Sequence, residues 1–280
     1  MTSARRAAVL GSPIRHSLSP VLHGAAYAAL GLDGWSYDAH ECDEAGLPGF
    51  VDALGPEWAG LSLTMPLKRV ALQVADRVCP LAEATGAANT LVLGPGGRLA
   101  ENTDVIGIVA ALREAGAGRA GRAVVLGAGG TAQAALAALR ELGTDDPLVL
   151  VRDTARAGEL QAAADRLGVS PTVRAALTDP ARAAAELADA DVVISTLPAG
   201  AADALAAASW SPSTTVVDVI YAPWPTAFAA GAAAAGCTVV SGLAMLLHQA
   251  VAQVELMTGR PGPVEAMRAA LDAAVLARSS

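Results

Sequence analysis

The sequence predicts an α/β protein, of one large domain or two of ordinary size. Three observations predict it. Residues 121–140, GRAVVLGAGGTAQAALAALR, read as a buried strand over Ala123–Leu126, a tight turn over Gly127-Ala128-Gly129-Gly130 and an alanine-rich helix over Thr131–Arg140. Before Asp104 strands and helices come in mixed order, whereas after it short apolar strands alternate with helices. The length of 280 residues suits one large domain or two of ordinary size.

The strand, glycine turn and helix form a Rossmann-type dinucleotide-binding pattern. Gly127 and Gly129, with Ala132 where the third small residue belongs, let the backbone turn sharply and approach a pyrophosphate over the helix N-terminus. Free N–H groups and the helix dipole favour an anion there. An alanine-rich chain with many glycines also produces this pattern by chance, so the surrounding residues decide the reading.

In chain order, Ala7–Leu10 is a first strand. Ser17-Leu18-Ser19-Pro20 then opens a helix running to about Leu30, with proline in its first turn. Ser19 either caps that helix or faces a polyhydroxylated or carboxylated ligand together with Ser17. Trp35–Glu41 is a second strand and Leu47–Leu54 a short helix. A further strand ends at Thr64-Met65-Pro66 and presents Lys68 at its exit. Leu91–Leu93 and a partner strand ending near Ala100 flank a turn at Pro95-Gly96-Gly97. A helix follows from Val105. Asn102–Asp104 either caps it, or Asp104 joins Lys68 as an acid/base pair in which each charge steadies the other.

Past the glycine turn, Pro147–Val151 is the second strand of the nucleotide fold, with Arg152 at its end. An acidic residue there holds a ribose 2′-hydroxyl, and an arginine accommodates a 2′-phosphate. Arg152 and Arg156, four apart, suit a phosphate clamp; Asp153 between them opposes it. Ala181–Ala190 reads as a helix, Asp191–Ser195, Thr215–Ile220 and Thr238–Ser241 as strands, and Leu243–Met257 as an apolar helix. Gln249 and Gln253, one turn apart, give that helix one polar strip.

Composition excludes several classes. A net charge of -8 without a basic cluster argues against nucleic acid or an anionic membrane as partner. Ala227–Leu247 carries no charge and is long enough to span a bilayer, but glycines and polar residues break it into a helix–strand–helix passage. The apolar run ending at Leu10 is too brief for a signal-peptide core. Cys42, Cys79 and Cys237 are scattered and read as reduced thiols in a cytoplasmic protein. The four histidines, His16, His23, His40 and His248, lack ligand spacing, so no metal is expected.

Eight segments in order carry a resemblance: HSLSP at 16–20, LTMPLK at 63–68, GAANT at 86–90, NTD at 102–104, GAGGTAQAA at 127–135, STLPAG at 195–200, DVIYAPWPT at 218–226 and GLAMLLHQA at 242–250. Together the sequence closely resembles the shikimate/quinate dehydrogenase family across nearly the whole chain. The resemblance implies an N-terminal α/β substrate domain (1–104), a Rossmann-type NADP-binding domain (105–242) and C-terminal helices (243–280) returning to the substrate domain, with a cleft between the two domains. It implies reversible NADPH-dependent reduction of 3-dehydroshikimate to shikimate, in chorismate and aromatic amino-acid biosynthesis, by a monomer or homodimer.

Carried over residue by residue, Lys68 is the acid/base and Asp104 aligns it. Ser17 and Ser19 bind the substrate carboxylate, and Thr64, Asn89, Asp104 and Gln249 its hydroxyls, with Tyr221 nearby. Cofactor contacts fall on Gly127, Ala128, Gly129, Gly130, Thr131, Arg152, Arg156, Thr196, Val219 and Gly242. The family usually has Asn at Ser62 and Val at Leu63; serine keeps a hydrogen-bonding group with a shorter reach. VRDTAR at 151–156 replaces the usual NRTxxR, so NAD use stands beside NADP. The alternatives are an NAD-dependent quinate/shikimate dehydrogenase and a regulatory nucleotide-binding protein without catalysis; the latter needs neither Lys68 nor Asp104.

Overall fold

The computed structural model describes residues 4–279. The chain forms two compact units, one from the chain up to Thr103 with everything from Leu246 onward, the other from Asp104–Met245.

The first unit begins β1 (Arg5–Gly11), α1 (Ser19–Ala29), β2 (Trp35–Glu41), α2 (Leu47–Asp52), β3 (Trp58–Leu63) and α3 (Val70–Val74). It continues β4 (Arg77–Val78), α4 (Pro80–Thr85), β5 (Thr90–Gly94) and β6 (Gly97–Glu101). The six strands make one mixed sheet in the order β2-β1-β3-β5-β6-β4. β1 runs parallel to β2 and β3, and β5 is antiparallel to β3 and β6. Its core gathers Leu10, Leu61, Leu63, Leu67 and Leu91 with Leu47, Val51 and Trp58.

The second unit contains α5 (Asp104–Glu114), β7 (Ala123–Leu126), α6 (Gly130–Glu141), β8 (Leu148–Val151), α7 (Gly158–Leu167), β9 (Thr172–Ala175) and α8 (Pro180–Leu187). Then come β10 (Val192–Ser195), β11 (Thr215–Asp218), α9 (Ala227–Ala234), β12 (Thr238–Ser241) and α10 (Gly242–Thr258), within which the boundary between the units falls; α11 (Val264–Ser279) closes the described chain. The sheet is wholly parallel, in the order β12-β11-β10-β7-β8-β9. Strands covered on both faces need apolar residues at every position rather than at alternate ones, which is how AVVL, LVLV and VVIS read and how they are buried. Strand order reverses between β7 and β10, the switch point at which doubly wound sheets bind ligands outside their carboxyl ends.

Some boundaries differ from the sequence expectation. Gly130 and Gly242 are first residues of helices rather than turn residues. β11 stops at Asp218 because its Oδ1 accepts from the Ile220 N–H, 3.2 Å away, and turns the chain. Ser19 is not a cap: Leu18 holds that position without a side-chain bond, and Ser17 Oγ accepts from the Ser19 N–H at 3.3 Å. Among the described residues no helix is long and apolar enough to cross a membrane; Ala227–Leu247 is the end-to-end run of α9, β12 and the start of α10.

Candidate active site

In the first unit, the exits of β1 and β3 and the entry of β5 come together. The Thr64 N–H donates to Leu10 O at 2.9 Å, the Leu67 N–H to Thr64 O at 2.8 Å, and the Ala88 N–H to Lys68 O at 2.8 Å. The turn carrying Thr64 and Lys68 is thus tied by its backbone to the residue before Asn89. Lys68 is half-buried, and Asn89 is buried.

Asn89 is held from several sides. Its Oδ1 accepts from the Thr103 N–H at 2.8 Å and the Thr90 hydroxyl at 3.0 Å. Its Nδ2 donates to Thr103 Oγ1 at 2.9 Å and Gln249 Oε1 at 3.2 Å. Thr103 is the residue before Asp104, so this bonding also fixes where the chain enters α5. Asn102 donates to Thr85 Oγ1 and Ala87 O, 3.0 and 2.9 Å away, bracing the same corner.

Ser19 is buried at the start of α1 and hydrogen-bonds the Tyr37 hydroxyl. Tyr37 in turn donates to Ser62 Oγ at 2.6 Å. Burial pushes the Tyr37 phenol well above its ordinary range, so it stays protonated and able to donate. The structure therefore gathers Ser17, Ser19, Thr64, Lys68, Asn89 and Gln249 within one hydrogen-bonded unit. Tyr37, Ser62, Thr90, Thr103 and Gln253 join them without having been assigned roles from the sequence. Their one sequence signal is polarity where the pattern is apolar, clearest for Gln253 on α10.

In the second unit the site is backbone. Gly127 follows β7 with φ +107, and a Cβ there would lie 2.6 Å from Thr196 Oγ1, which itself donates to Leu126 O at 2.7 Å. Gly127 and Thr196 thus meet at the switch point, and only glycine fits. Gly129 is the N-cap of α6 and supplies no side-chain cap, leaving the N–H groups of Gly130 and Thr131 for a ligand. Open space surrounds the Cβ position of Gly129, where a phosphate would approach. The Gly127 N–H donates to Leu150 O, which sets the turn beside the end of β8. Arg152 and Arg156 follow there, exposed. Asp153 Oδ1 accepts from the Ala155 N–H at 2.9 Å and caps the 3-10 turn Thr154–Arg156.

Gly242 opens α10 just past the end of β11: a Cβ there would collide with Val219 O, so these two residues also adjoin. Tyr221 lies beyond them, half-buried. Asp218 accepts from Thr226 Oγ1 at 2.7 Å; burial raises its carboxyl above the usual range, partly countered by that bond. Asp104 is buried at the first position of α5.

A parallel doubly wound sheet with a glycine turn at its switch point, on a chain with a second α/β unit rich in buried polar side chains, defines a two-domain dinucleotide-binding protein. Residues 9–91 match the shikimate dehydrogenase substrate binding domain, residues 242–271 the shikimate 5'-dehydrogenase C-terminal domain, and residues 123–240 the saccharopine dehydrogenase NADP binding domain. The chain is 39% identical to a shikimate dehydrogenase (NADP(+)) of Moorella thermoacetica, covering 97% of this chain and 94% of that one. It superposes on the shikimate dehydrogenase of Mycobacterium tuberculosis with TM-score 0.87 and 47% identity, covering 96% and 99% of the two chains. A Thermus thermophilus shikimate 5-dehydrogenase solved with NADP(H) and shikimate aligns at TM-score 0.83 and 33% identity over 96% and 99%. The chain belongs to the shikimate dehydrogenase family.

Proposed function

We propose that this protein catalyses the reversible NADPH-dependent reduction of 3-dehydroshikimate to shikimate, the reaction its relatives are named for, in the cytoplasmic biosynthesis of chorismate and aromatic amino acids. The observation that carries the reading is the presence on one chain of a turn built for a dinucleotide and a buried polar cluster around Asn89 and Lys68. NADPH, when bound, supplies the hydride.

The chain's own residues do the rest. The N–H groups after Gly129 and the α6 dipole hold the pyrophosphate. Arg152 and Arg156 take the 2′-phosphate, and Asp153, engaged as a cap, is turned to its own backbone. Thr196, Val219 and Gly242 line the remainder of that site. Ser17 and Ser19 bind the substrate carboxylate; Thr64, Asn89 and Gln249 orient its hydroxyls, with Tyr221 beside them. Reduction leaves an alkoxide on the former carbonyl carbon. Lys68 donates a proton to it, aligned by Asp104. In the oxidative direction Lys68 accepts the same proton.

The test is the initial rate of shikimate oxidation with NADP and then NAD, repeated with quinate. The reading expects turnover with shikimate and a preference for NADP. Cofactor binding without turnover of either substrate would overturn it.

A further inference from the structure

Gln253 is 1% exposed in the middle of α10, and every polar atom of its side chain is bonded. Its Nε2 lies 3.2 Å from Asn89 O and 2.9 Å from Thr90 Oγ1. A backbone carbonyl can only accept, so the nitrogen must face Asn89 and the oxygen must face away. That single constraint fixes the polarity of what surrounds it.

With Oε1 as acceptor, the Ser62 hydroxyl, 2.8 Å away, spends its one hydrogen on Gln253 and accepts from Tyr37. His23, with Nε2 at 3.4 Å from the same oxygen, carries its proton on that nitrogen and accepts from Tyr27 at Nδ1. On the other side Thr90 Oγ1 receives the Gln253 proton and therefore donates its own to Asn89 Oδ1. The Thr103 N–H, which can only donate, bonds the same oxygen, so Asn89 Nδ2 faces Gln249 and Thr103. One carboxamide thereby withdraws the Ser62 hydrogen from any ligand and directs the Thr90 hydrogen at Asn89.

Resting on the function proposed above, we infer that Gln253 is a positioning residue for the substrate: through Ser62 it removes a competing donor, and through Thr90 it adds a second donor to the Asn89 oxygen that the Thr103 N–H orients. The shikimate hydroxyls then meet Asn89 and Gln249, and Ser62 belongs to the supporting network rather than to substrate recognition. Without Gln253 the Thr90 hydroxyl loses the donor that directs its hydrogen at Asn89, and the Ser62 hydrogen is released toward the ligand.

The experiment compares steady-state constants and melting temperature in the full-length protein, Gln253→Met and Thr90→Val. Methionine keeps the volume of Gln253 and none of its bonds; valine keeps the shape of Thr90 and breaks only the relay to Asn89. Both variants are expected to raise the shikimate KM about tenfold, the worth of one or two hydrogen bonds, with the NADP KM within about twofold. A purely structural role would lower the melting temperature and the active fraction and leave the shikimate KM alone; that result in Thr90→Val, whether or not Gln253→Met folds, overturns the inference. No turnover of shikimate by the unsubstituted protein removes the functional reading and this inference together, whereas turnover with unmoved KM values removes the inference alone.

Discussion

The two units build their sites from opposite materials. In the second, the groups we propose to face the ligand are backbone: a glycine at φ +107, a helix N-terminus without a side-chain cap and a close approach of Gly242 to Val219. In the first they are side chains, Asn89 and Gln249, held from behind by Thr103 and Gln253 in a buried network that bonds across long separations; Ser62 and Gln253 stand 191 residues apart. A backbone site recognises what every dinucleotide shares, a pyrophosphate, and in the proposed function discrimination falls to two exposed arginines. A side-chain network distinguishes one arrangement of hydroxyls from another, because a misplaced one leaves a buried donor or acceptor unpaired.

The largest expected effect falls on the group that moves a proton. Lys68→Ala should lower kcat about 10³-fold, within the range for removal of a general acid, while shikimate and NADP binding measured by titration change little. Retained turnover would break the assignment.

Next is the buried heart of the first unit. His23, stacked on Tyr37 at 3.9 Å, is held neutral because burial lowers its pKa from 6.5 to about 3, against a smaller upward pull from Gln253. The unfolded chain takes up the proton first, so this histidine's contribution is intact above pH 6.5 and is lost as pH falls toward 3. His23→Phe keeps a ring and cannot titrate. Between pH 7 and pH 4 the wild-type stability should fall relative to that variant by about 3 kcal/mol, read from denaturant unfolding at both pH values. A constant difference would contradict it.

In the second unit Gly127→Ala places a methyl against Thr196 in a backbone region that disfavours it. A stability loss of about 2 kcal/mol is expected, together with weaker NADP binding in a fluorescence titration. Smaller still, Arg152→Ala should raise the NADP KM about tenfold by removing charge-assisted bonds to the 2′-phosphate. The NAD KM should not move, and equal effects on both cofactors would break the clamp.

The same contrast governs what the sequence discloses. The glycine turn is a contiguous pattern, so β7, the turn and α6 are readable directly, as are Trp35–Glu41 and Thr238–Ser241. Alanine conceals the rest: in α7 Ala162 is exposed while Ala163 and Ala164 are buried, and an alanine run carries no periodicity to mark a face. α3, β4, α4, α7 and β9 are unread. The hydroxyl and amide network is unread for another reason. Nothing local in WSYDAHE or LSLTMP says that Tyr37 donates to Ser62; the sheet order does that, Tyr37 on β2 and Ser62 on β3 reaching across the intervening β1. Asp153, read as an obstacle to phosphate, is a cap, which only the geometry of its turn reveals.

The division of labour between the units is tested most directly by one bisubstrate measurement, initial rates with shikimate and NADP both varied, on the unsubstituted protein, Arg152→Ala and Thr90→Val. The account predicts that Arg152→Ala raises the KM for NADP alone and Thr90→Val the KM for shikimate alone. Both constants moving together in either variant would contradict it.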